Sequence, residues 1–145
     1  MRNKYSSTLQ ELDAIQYASY NGAVNIDEIN GQAGFIFPIG TVQYPVNNMG
    51  DALLIASLRG FDTFKINDHL DIDSGASYNI SQKIFKGRHM NMDSVSIGAS
   101  AIADKCLFKD IELDGTLDGE TVLDNCSIGN LTYVDGTIKI CFFEK

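Results

Sequence analysis

The chain has 145 residues, of which 44% are hydrophobic and 21% charged, a balance that fits one globular domain and excludes a disordered segment. Its formal net charge of −8, with lysines and arginines scattered singly, leaves no basic face for nucleic acid, and the acidity reads as solubility. No apolar stretch approaches the ~20 residues of a membrane span, and Met1 to Tyr5 leads into serines instead of an apolar leader, so neither a membrane nor export is expected.

Residues 1–22 predict an N-terminal arm with a short helix. Thr8 is placed to cap it, Glu11 stands where a capping box prefers an acid, and Leu9, Leu12 and Ile15 fall near one face. Asn21-Gly22 supplies the stop. So short a helix is marginal alone and must dock on its own body, a neighbouring subunit or something larger, which makes Leu9, Leu12 and Ile15 the candidate attachment residues.

Residues 23–60 predict an extended segment followed by a capping helix. Val24 and Ile26 alternate with polar neighbours, Asn30-Gly31 marks a turn, and the apolar run Phe35-Ile36-Phe37 precedes Pro38. Asn48 is a suitable N-cap and Asp51 lies in the positive first turn. Met49, Ala52, Leu53 and Ala56 keep the helical period, Arg59 suits the last turn, and Gly60 suits the left-handed position after it. A helix this apolar is expected to lie as a lid over open strand ends.

Residues 61–145 echo themselves. Phe64-Lys65, Phe85-Lys86, Phe108-Lys109 and Ile128-Gly129 recur at steps of 21, 23 and 20 residues. A second series, Asp73, Asp93, Asp114 and Asp135, recurs at 20, 21 and 21, each Asp followed by Ser or Gly. Such a period, with alternation inside each copy, predicts one β-coil per repeat stacked on the next at about 4.8 Å. The fold class expected is mainly β: a short right-handed parallel β-helix of about four rungs, capped by a helix and preceded by the arm. Phe64, Phe85, Phe108 and Ile128 would form one internal ladder, Cys106 would stack over Cys126, and the Asp series would mark the corners. Open strand edges and a thin core favour burial against identical partners, with a homotrimer as the natural arrangement.

The block Gly40-Thr41, Pro45-Val46, Asn48-Met49-Gly50-Asp51-Ala52 and Arg59-Gly60-Phe61 resembles the entry segment of phage tailspike and fibre β-helices. The likeness covers residues 34–143 in architecture and specific residues only in 40–61. It implies a virion protein, typically a homotrimer: a head fibre, a capsid decoration or a tail-fibre or spike component, made in the host cytoplasm and attached to capsid or tail. Enzymatic tailspikes carry many more rungs than the four expected here.

The chemistry-bearing residues point to no reaction, and the protein is expected not to be an enzyme. Glu112, Asp114, Asp118 and Glu120 are the carboxylates a glycan-cleaving β-helix would use, but Asp114 belongs to the corner series and Asp118-Gly119 reads as a turn. His69 and His89, 20 residues apart, read as polar strand residues more readily than as metal ligands. Asp71 to Gly75 resembles a calcium loop but has Gln82 where the twelfth-position acid belongs. Cys106, Cys126 and Cys141, an odd number, read as reduced buried thiols. Gly22, Gly31 and Gly34 lack the spacing of a phosphate loop, so no cofactor is expected. The alternative to a structural role is a glycan- or receptor-binding module for a host surface, using Tyr78 and Tyr133 as exposed rings.

Overall fold

The computed structural model describes residues 4–72, 77–135 and 138–142, and in them the chain forms two parallel sheets and two helices. Helix α1 (Lys4–Ser19) starts four residues before Thr8, which is therefore a helix residue and not its cap. Nothing between Lys4 and Ser7 breaks a helix, so the turn propagates past the capping candidate. Its stop is where the sequence puts it, with Asn21 and Gly22 at φ 54° and 79°.

Strand β1 (Val24–Asp27) follows. All four residues are buried, against the alternation of the sequence, because the loop 40–46 lies along its outer side. There the Asn25 N–H donates to Gly40 O at 2.9 Å, the Val46 N–H to Asn25 O at 2.9 Å, and the Asp27 N–H to Val46 O at 2.8 Å. The Asn25 side-chain amide donates to the carbonyls of Tyr20, Ala23 and Gly40, which offsets the cost of covering it.

Helix α2 (Met49–Arg59) carries the expected caps. Asn48 Oδ1 accepts the Asp51 N–H at 2.8 Å, and Gly60 closes the helix at φ 78°. Asp51 does more than complement the dipole: its Oδ2 also accepts the Gly34 N–H and the Asn48 amide, both at 2.8 Å. The buried face of Met49, Ala52, Ile55 and Ala56 packs on β1 and on β3, the first strands of the two sheets, as the lid expectation requires.

The remaining strands are β2 (Thr63–Asn67), β3 (His69–Ile72), β4 (Ile84–Lys86), β5 (Ser94–Ile97), β6 (Cys106–Lys109), β7 (Glu112–Asp118), β8 (Thr121–Asp124), β9 (Ser127–Asp135) and β10 (Ile138–Phe142). One sheet runs β1-β2-β4-β6-β8-β10 and the other β3-β5-β7-β9, and every pairing is parallel. From β2 onward each strand joins the opposite sheet from the one before it. Between the sheets lies one apolar core, in which a fully buried Leu, Ile or Phe stabilises by roughly 1.5–3 kcal/mol.

The aromatic ladder is real for three of its four members. Phe64, Phe85 and Phe108 are in register, fully buried and stacked, with ring centroids 5.2 and 5.3 Å apart. The fourth place belongs to Leu123, not Ile128. Ile128 lies in β9 of the other sheet, in register with Leu113. The reason is that the circuits are unequal. Phe85 follows Phe64 by 21 residues and Phe108 follows Phe85 by 23, but Leu123 comes only 15 after Phe108. A constant period therefore loses the register once the chain passes β6.

The same shortening dissolves the other two series. Cys106 is in register with Thr121, not Cys126, which sits between β8 and β9. Asp93 lies just before β5, Asp114 within β7 opposite Ser96, and Asp135 in β9 opposite Asp118, while Asp73 lies outside the described residues. The left-handed corners are instead Asp68, Asp110 and Asn125, at φ 65°, 57° and 53°. Asn125 donates its amide to Asp110 Oδ1 at 2.8 Å, one corner bonding the next. No described helix is long and apolar enough to cross a membrane.

Candidate functional site

Two surfaces stand out. The first is α1. Its C-terminal end is anchored: Tyr17 donates its hydroxyl to Arg59 O and packs its ring 5.0 Å from that of Phe61. Tyr20, just past the helix, is fully buried between Phe37 and Phe61, with the Arg59 guanidinium 5.6 Å from its ring centroid. Preceding residues are not so held. Leu12 is 52% exposed and Ile15 63%, so two of the three attachment candidates face away from the body. The Leu9 side chain lies outside the described residues.

The second surface is the outer face of the first sheet. Alternation turns Phe64 and Phe85 inward and so turns Lys65 and Lys86 outward, directly opposite one another. Beside them the loop carrying Val42 and Pro45 rises over β1, and the space between is a cleft of about 370 Å³. Asn67 and Arg88 complete its polar lining.

Behind Arg88 lies the most heavily bonded carboxylate of the described fold. Asp93 Oδ1 accepts the Asp68 N–H at 2.8 Å and the Arg88 Nη2 at 2.7 Å, while Oδ2 accepts the Arg88 N–H at 2.5 Å and its Nε at 3.1 Å. Burial works to raise this carboxyl's pKa, but hydrogen bonds from Arg88 and Asp68 and the guanidinium charge outweigh it, leaving the pKa below the ordinary value. Asp27 shows the same balance. Burial opposes ionisation, and the N–H groups of Asn30 and Ile29 with the amides of Asn30 and Asn67 more than offset it.

The residues weighed for catalysis do not form a set. Asp114 Oδ1 accepts the Asn130 N–H at 2.6 Å, a bond that holds β7 to β9. Glu120 uses its backbone, donating its N–H to Asp104 Oδ1 at 3.1 Å and accepting from Lys105, and the side chain of Asp118 lies outside the described residues. Glu112 opens β7 opposite Ser94. His69 and His89 are not stacked: a His69 ring nitrogen meets Ser94 Oγ at 2.7 Å, whereas His89 Nδ1 accepts the Asn91 N–H at 3.1 Å in the next turn. Among the described residues no group of three or more His, Cys, Asp or Glu side chains could hold a metal ion.

The thiols are internal. Cys106 donates to Ile80 O at 3.0 Å and Cys126 to Phe108 O at 3.1 Å. Burial pushes both thiols up, Cys106 to about 11, which removes the thiolate at neutral pH. The Cys141 side chain lies outside the described residues. Tyr78 is half-buried against the core, its hydroxyl beside Gly50, so its ring is not the free platform expected; Tyr133 is 39% exposed on β9. The sequence reading passed over Arg88, Asp93 as a buried ligand of it, and the Lys65–Lys86 pair. The repeated Phe-Lys dipeptide was the available signal for the last of these.

No protein-family model, curated protein or solved structure matches the chain.

Proposed function

We propose that the protein is a non-enzymatic structural component of a bacteriophage particle, a head fibre, capsid decoration or tail-fibre or spike component, attached through its N-terminal helix. On this reading the two parallel sheets wind as a short right-handed β-helix that associates as a homotrimer. Strands that alternate between two sheets and pair only in parallel support the winding. The strong right-handed preference of parallel crossovers supports the hand.

The observation that carries the functional reading is α1. A helix of 16 residues is marginal in water by itself, yet this one is fastened to the body only near its end and presents Leu12 and Ile15 outward. Those side chains gain burial only from a partner, which is what an attachment element needs. The entry segment, with Gly40, Pro45, the capped α2 and Gly60, keeps the arrangement that the resemblance to phage fibres implies. At the far end of the fold Ile128 is 44% exposed on β9, an apolar surface suited to a neighbouring copy.

The test is solution mass by light scattering, followed by cosedimentation with purified particles. The reading expects a mass near three times 15.9 kDa and loss of particle association in Leu12→Asp/Ile15→Asp with the trimer intact. A monomer that never associates with particles overturns it.

A further inference from the structure

The cleft beside Lys65 and Lys86 is built for an anion. Two like charges directly opposite each other on neighbouring strands repel and destabilise the sheet. Elsewhere this acidic chain avoids leaving cations alone. Lys83 reaches Asp62 at 3.5 Å, Lys109 reaches Asp124 at 3.9 Å, and Arg88 holds Asp93 at 2.7 Å. Lys65 and Lys86 have no ion-pair partner among the described residues, although the chain carries 19 acids.

The lining sharpens the point. The cleft has no Asp or Glu in its wall; besides the two lysines it offers the Arg88 guanidinium, the Asn67 amide and the apolar flank of Val42 and Pro45. Arg88 is fixed by Asp93 behind it, so its charge is held in place before any ligand arrives. Lys86 is half-buried and Lys65 exposed, which places one ammonium deep in the cleft and one at its mouth. A volume of about 370 Å³ is within the range of small-molecule sites and exceeds what a bare ion requires.

We propose that this cleft binds an oxyanion, a carboxylate or sulfate, carried on a body of one or two rings whose less polar face lies on Val42 and Pro45. The two ammonium groups take the anion through charge-assisted hydrogen bonds, Asn67 orients it, and the guanidinium adds field. The inference does not depend on the virion reading, since it concerns the outer face of the sheet and not α1.

The experiment is an NMR titration of the full-length 15N-labelled chain with four probes: glucuronate, glucose 6-sulfate, glucose and inorganic sulfate. Glucuronate, glucose 6-sulfate or both should shift amides of the cleft at low salt, with the affinity falling as salt is raised. A preference between the two assigns the anion as carboxylate or sulfate. Glucose should leave the amides unmoved, and inorganic sulfate should bind more weakly than either charged sugar. Lys65→Gln and Lys86→Gln should each weaken binding by about tenfold without moving the melting temperature of the free protein. Either charged sugar binding no better than glucose in both cases, shifts confined to another surface, or unchanged affinity in both variants would overturn the proposal. Inorganic sulfate binding as well as the charged sugars would overturn its ring-sized body.

Discussion

Replacing Asp93 by Ala tests the idea that one buried carboxylate ties the start of β5 to the corner after β2. Its side chain has no exposed surface, and removal strands the N–H groups of Asp68 and Arg88 together with a guanidinium. Breaking a buried, hydrogen-bonded pair costs about 3–5 kcal/mol. The Arg88 side chain is 47% exposed and water re-solvates it, so the lower end applies, about 3 kcal/mol. For a chain of this length that is a fall of roughly 10 °C in melting temperature. Asp93→Asn keeps the shape but turns an acceptor into a donor facing N–H groups, and should cost about 2 kcal/mol. The pH dependence has a defined sign. The folded-state pKa lies below the unfolded one, so the contribution is complete above the unfolded value near 4 and disappears as pH falls through the lower folded value. Urea unfolding of parent and variants at fixed protein concentration, at pH 7 and at steps down to pH 3, reads both quantities. A loss of less than about 1 kcal/mol in Asp93→Ala, or a parent and Asp93→Asn that lose stability equally on acidification, would refute the reasoning.

Three further outcomes follow from the core. Phe85→Ala empties the middle of the three-ring stack, whose neighbours are 5.2 and 5.3 Å away, and should cost about 3–5 kcal/mol in denaturant unfolding, against less than about 1.5 kcal/mol for a surface change such as Lys105→Ala. Gly115→Ala should destabilise by about 3 kcal/mol or prevent folding, because Gly115 sits at φ 100° and a Cβ would lie 2.1 Å from Ile97 O. Cys106 and Cys126 should resist a thiol reagent at pH 8 in the native protein and react once it is unfolded by urea. Rapid native labelling of either by mass spectrometry would contradict their burial and raised pKa.

The local signals in the sequence were sound because each is decided by a few adjacent residues. Asn48, Asp51 and Gly60 cap α2 as their chemistry dictates, and Phe64, Phe85 and Phe108 stack because their spacing happens to match the true circuits. Register in the last circuits failed for a physical reason. Stacking is set by which side chains enter the core, and the connection between β6 and β8 is shorter than those before it. The readable evidence was the pair Phe108-Lys109-Asp110-Ile111-Glu112-Leu113 and Leu123-Asp124-Asn125-Cys126-Ser127-Ile128, which match position by position in polarity and corner residue. The cleft was invisible for another reason. Lys65 and Lys86 become neighbours only through parallel pairing, and the wall at Val42 and Pro45 comes from a loop some 20 residues earlier in the chain.

The two ends of the fold differ chemically, and this constrains how copies can meet. At the first end α2 lies on β1 and β3, so a further strand cannot add there without displacing a helix whose buried face includes Met49 and Ile55. At the other end β9 and β10 are the last described strands of their sheets, with Ile128 exposed. Head-to-tail stacking needs one open edge of each kind, and here one kind is covered. Copies associating through the open end are therefore limited to facing one another or closing around an axis, arrangements that terminate instead of growing into a filament. That asymmetry is what a trimeric attachment protein requires. It also leaves the Lys65–Lys86 cleft, on the side of the first sheet near the α2 end, clear of the surface where copies would meet.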